Sequence, residues 1–91
     1  MKRLPYIKQE KRKQFDWVIS NIVAFLEAEP EDIAGNLNYV ITSILKKLSK
    51  DLRYKKANEL MGVLECVKQE YYRKVVVPYE ILKEKENGEV E

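Results

Sequence analysis

Within ANELMGVLECVKQEYYRKVVVPY, residues 57–79, side chains able to do specific chemistry recur at helical spacing: Asn58, Gly62, Glu65, Gln69, Tyr72, Arg73 and Val76. At about 100° per residue they fall on the side of a helix opposite its apolar stripe. Arg73, with Lys68 beside it, could hold an anionic, nucleotide-like group, because a guanidinium presents a planar fork of donors to carboxylate or phosphate. Tyr72 could stack on such a ligand, while Asn58, Glu65 and Gln69 supply orienting hydrogen bonds. Gly62 sits mid-helix, where Ala would be favoured by about 1 kcal/mol, so something is expected to approach the backbone there. The same residues also suit a second copy of the chain. Glu65 and Arg73 would then pair across the boundary, and Tyr72 and Val76 would add apolar area to a face that a monomer leaves wet. A different protein partner is the third reading of this face.

Catalysis is poorly provided for. The chain has no His and one Cys, which excludes four-ligand zinc sites, Ser/His/Asp triads and a disulfide framework. Cys66 reads as a half-buried small residue, since no imidazole is present to activate its thiol. Carboxylate chemistry needs paired acids facing one cavity, yet Asp16, Glu59, Glu65 and Glu70 are scattered. The dense acids lie in a connection and in the tail. No enzyme activity, metal or cofactor is expected.

The elements that must position these residues are helices. Pro5 disfavours helix before it, so residues 1–7 read as an extended arm. Phe15, Val18, Ile19, Ile22, Phe25 and Leu26 make one apolar stripe and predict helix 1 over residues 8–28, with Trp17 at its rim. The acidic segment EPEDIAG follows as a connection. Helix 2 could begin at Pro30 or after Gly35; the second start is preferred, with Asn36 as cap and a span of 36–50. Its stripe is Leu37, Val40, Ile41, Ile44, Leu45 and Leu48, and Asn38, Tyr39 and Thr42 form a polar face beside it. Helix 3 is predicted over 55–77, with Ala57, Leu60, Leu64, Val67, Tyr71 and Val75 as its inward stripe. Pro78 should stop or kink it, leaving a tail over 78–91 that resumes as a short helix with Pro78 in its first turn and Gly88 just past its end.

Three amphipathic helices with short connections predict one all-α domain of 91 residues, a three-helix antiparallel up-down-up bundle with an N-terminal arm and a short C-terminal helical tail. Such a small bundle buries little per residue, which favours a homo-oligomer, a dimer or higher. The composition, 45% apolar and 35% charged, is globular. No run approaches membrane-spanning length and the basic start lacks an apolar leader core, so a soluble, cytoplasmic protein is expected.

The net charge of +2 gives no general push toward polyanions, but its distribution is uneven. The up-down-up path would gather Lys8, Lys11 and Arg12 with Lys46, Lys47, Lys50, Arg53, Lys55 and Lys56 at one end, and would collect acids at the other. That basic end could meet phosphate. No nucleic-acid-binding motif accompanies it, so nucleic acid is the least favoured partner.

The stretches GNLNYVIT (35–42), GVLECVKQEYYR (62–73), VVVPYE (75–80) and ENG (86–88), with PYIKQ (5–9) near the start, resemble those of a family of small uncharacterised proteins from phages, prophages and other microbial genomes. The resemblance spans most of the chain. It implies a stand-alone helical protein connected with phage and host conflict, and brings no activity with it. Three functions follow as expectations: a non-catalytic module that self-associates through the outer face of helix 3, a binder of a small anionic ligand on that face, and a weak nucleic-acid binder using the basic end.

Overall fold

The computed structural model describes residues 7–51 and 53–88. Every regular element among them is helical: α1 (Gln9–Glu27), a 3₁₀ turn (Pro30–Asp32), α2 (Ile33–Leu48), α3 (Tyr54–Tyr71), a π turn (Tyr72–Val76) and α4 (Val77–Asn87). The protein is all-α. All but Ile7 of the arm expected over residues 1–7, and the last three residues of the tail, lie outside the described residues. Contacts group the chain into two units, Met1–Ile44 and Leu45–Glu91, and each is described by itself.

In the first unit, α1 starts from Lys8, whose backbone is extended and whose carbonyl accepts from the amides of Lys11 and Arg12 at 3.0 and 3.2 Å. No side chain caps this end. The Arg12 guanidinium instead donates from Nε to the Ile7 carbonyl at 3.2 Å, tying the entering chain to the first turn. At the other end the Ala28 amide returns to the Ala24 carbonyl. Pro30 then opens the 3₁₀ turn, where its fixed φ and missing N–H cost nothing.

That turn runs directly into α2, which corrects the expected start at Asn36. Ile33 already has right-handed helical dihedrals, so Gly35 and Asn36 lie inside the first turns of the helix. The amides that would have needed a cap are reached through the 3₁₀ turn, and the added backbone bonds offset the entropic cost of a helical Gly, about 1 kcal/mol. Asn36 does a different job: its side-chain amide donates to the Glu29 carboxylate at 3.3 Å, back across the connection. Helix α2 ends at Leu48 instead of residue 50, where the Ser49 hydroxyl donates to the Leu45 carbonyl at 2.8 Å and competes with continuation.

The second unit holds the largest departure from the sequence-based expectation. The chain neither stops nor breaks at Pro78 but stays helical from Tyr54 to Asn87. A proline in a regular helix deprives the carbonyl four residues back of its donor and its ring collides with that carbonyl. Here the preceding turn widens, and the Val77 amide reaches back five residues to the Tyr72 carbonyl. The π turn makes room for the ring, and Pro78 sits in the first turn of α4. Gly88 ends the helix with φ 85°, the left-handed region where a side chain would be strained, and its amide returns to the Glu84 carbonyl at 2.8 Å.

Only part of each expected apolar stripe is covered, and Val75, expected inward, is exposed while Val76, expected outward, is half-buried. Ile22 and Leu26 in α1, Val40 and Leu45 in α2, and Ala57, Leu60 and Leu64 in α3 are half-buried. None of the described residues is fully buried, and Phe25, Val67 and Tyr71 stand open. Trp17, placed at the rim by sequence, is 66% exposed.

Candidate interaction face

The face begins with Asn58 and Gly62 on α3, both exposed. Around Gly62 the space is empty: a Cβ added there would meet no atom within 4 Å. Among the described residues nothing approaches the backbone there, so none of them makes the close approach expected from the mid-helix glycine.

One turn on, Glu65 gathers its neighbours. The Gln69 side-chain amide donates to its carboxylate at 3.0 Å, and Lys68 Nζ lies 3.8 Å away. Next come Tyr72 and Arg73, the first residues of the π turn. The Arg73 guanidinium is held by Glu70, and Lys74 Nζ lies 3.7 Å from the other oxygen of the same carboxylate. Glu70 is thereby pressed between two cations, its side chain only 15% exposed. Sequence placed Glu70 among scattered acids; its spacing of three and four to Arg73 and Lys74 was the signal for this arrangement. Both cations offered as anion ligands, Lys68 and Arg73, therefore already have carboxylates on their own helix.

The π turn changes which residues complete the face. It inserts one extra residue, so all that follows is rotated by roughly 100° relative to an uninterrupted α-helix. Tyr72 and Glu80, eight apart, would be offset in a regular helix. Here the Tyr72 hydroxyl donates to the Glu80 carboxylate at 3.4 Å, which brings the two side chains onto one side. By the same rotation Val77 takes the place that plain periodicity gave to Val76, and Ile81 follows it. Exposed Ile81 thus extends the row Asn58, Gly62, Glu65, Gln69 and Tyr72, while Val77 is half-buried.

Other candidate residues lie apart from this face. On α2, the Thr42 hydroxyl donates to the Asn38 side-chain oxygen at 3.3 Å, and Tyr39 is exposed. Lys8, Lys11 and Arg12 belong to the first unit, whereas Lys46, Lys47, Lys50, Arg53, Lys55 and Lys56 belong to the second. Cys66 is exposed, not half-buried. Among the described residues no group of three or more acids and cysteines is arranged to hold a metal ion, and no helix is long and apolar enough to cross a membrane.

With this geometry in hand, the relationship to known families can be stated. The model of a domain of unknown function, DUF6899, matches residues 4–90. The chain belongs to this family. Comparisons with curated proteins and with solved structures each found no match. The DUF6899 match takes in all four α-helices and every residue of the candidate face. Membership in DUF6899 brings no activity with it, so the reading of the face rests on its chemistry.

Proposed function

We propose that this DUF6899 protein is a non-catalytic helical interaction module that self-associates through the outer face of α3, its helices packed as an antiparallel up-down-up bundle in the cytoplasm. The observation that carries the reading is the row of exposed residues Asn58, Gly62, Glu65, Gln69, Tyr72 and Ile81, with empty space beside Gly62. Large apolar side chains left in water across helical turns are a cost that a second surface removes. A mid-helix glycine with no neighbour of its own is what a close-packed partner helix requires. The resemblance to phage and prophage proteins supplies a setting for such a module, one of conflict between phage and host.

The electrostatics favour a protein partner over a small anion, since Lys68 and Arg73 are already matched by Glu65 and Glu70. Native mass spectrometry and sedimentation velocity on the full chain test the proposal. The expected result is a dimer or higher mass with no retained small molecule. A strictly monomeric mass at high protein concentration would overturn it, and a stoichiometric bound anion would move the assignment to ligand binding.

A further inference from the structure

The two most exposed aromatic side chains of α1 belong to one row. Trp17 is 66% and Phe25 79% exposed, and they stand eight residues apart with Asn21 midway. Residues four apart form a ridge along a helix, so Lys13, Trp17, Asn21 and Phe25 make one line, and Glu29 follows just past the helix end. All five are exposed. Asn21, at the centre of the ridge, lies on a different side of α1 from half-buried Ile22 and Leu26, so the ridge stays open when the apolar stripe packs.

Taken in reverse order, this ridge presents the complement of each of its own members: acid for base, aromatic for aromatic, and one amide for itself. The charges at its two ends are cleanly separated along the chain. Residues 8–13 hold four bases against Glu10, residues 27–32 hold four acids, and no Lys or Arg occurs from residue 14 to residue 45. Among the described residues every ion pair falls between Glu65 and Glu86, so these charges have no partner of opposite sign there. Glu29 accepts only from the neutral Asn36 amide and keeps its charge. Bases at a helix start and acids at its end also oppose the dipole of their own helix. A two-fold axis at Asn21 turns each of these ends toward its opposite. The one like-charged approach it makes, Glu10 toward the partner's Asp32, has Lys11 and Lys13 beside it.

We infer that two copies of the chain pair antiparallel along this ridge of α1, with Asn21 against the partner's Asn21, Trp17 against the partner's Phe25, and Lys11 and Lys13 against the partner's Glu31 and Glu29. A side-chain amide both donates and accepts, so the two Asn21 side chains satisfy each other on the axis and fix the register. The aromatic pairs on either side bury the largest apolar groups that α1 leaves in water. This contact is separate from the α3 face and goes beyond it: a chain with two isologous faces assembles past a dimer.

Trp17 is the only tryptophan of the chain, so its fluorescence reads the contact directly. In the full chain carrying Gly62→Leu, which removes the α3 contact and leaves this one, emission should move to shorter wavelength as protein concentration rises, in step with a monomer-to-dimer change in sedimentation. Emission that ignores concentration would overturn the inference, even where the parent chain self-associates. Lys11→Glu with Lys13→Glu should weaken this dimer about tenfold by setting acids against acids. Glu29→Lys with Glu31→Lys in the same chain should restore it, and no rescue would overturn the pairing. With Cys66→Ser added, Lys13→Cys should fail to cross-link to itself yet link to Glu29→Cys when the two chains are mixed; self-linking would mean a parallel pair and sink the inference. A parent oligomer unchanged by Gly62→Leu would instead fail the earlier reading of the α3 face and leave this contact standing on its own readouts.

Discussion

At Gly62 and at Gly35, an added Cβ would meet nothing within 4 Å. The two glycines are equivalent inside one chain and differ only if a partner covers one of them. Gly35→Ala is expected to stabilise the fold by up to about 1 kcal/mol, because alanine loses less backbone entropy in a helix. Gly62→Leu should leave the helical content intact but abolish the proposed self-association, since the new side chain fills the open space beside the backbone. Circular dichroism with sedimentation velocity checks both, and an unchanged oligomer in Gly62→Leu would show this face to be idle. Spacing places Asn58, Gly62, Glu65, Gln69 and Tyr72 at successive turns, and all five are exposed, whereas Val76, placed with them, is half-buried. Their partners were less so: Glu70, passed over as a scattered acid, is the residue that Arg73 and Lys74 share.

The element that matters most is the π turn over Tyr72–Val76. Pro78 in a regular helix costs on the order of 3 kcal/mol, and the widened turn relieves the clash. Replacing it should let the helix regularise. Pro78→Ala is expected to convert the π turn to α-helix, rotate α4 by roughly 100°, and break the Tyr72 to Glu80 hydrogen bond. Proton contacts between the Tyr72 ring and residue 79, in place of residue 80, would report the change by NMR. The helix should gain stability while the proposed self-association weakens, because Ile81 leaves the face. Persistence of the Tyr72 contact to Glu80 would mean that Pro78 is not what holds the turn.

For the whole molecule, exposed apolar stripes with no fully buried residue among those described make a melting experiment a direct test of the proposed self-association. The melting temperature should therefore rise with protein concentration, as binding of a second copy to the native state stabilises it by mass action. A concentration-independent melting curve would indicate that each chain meets its needs alone.

Sequence by itself determined the helical class, because residue types recurring at a period of 3.6 specify helices. It also placed Pro78 and Gly88 at the start and just past the end of the last helix. Two matters were decided only by the structure. The start of α2 depended on whether a 3₁₀ turn could supply what a cap residue would have supplied, a comparison of nearly equal backbone energies. The path through Pro78 depended on a single amide reaching back five residues instead of four, a choice that local composition leaves open. That one bond sets which side chains of α4 join the face of α3, and so gives the face its apolar end.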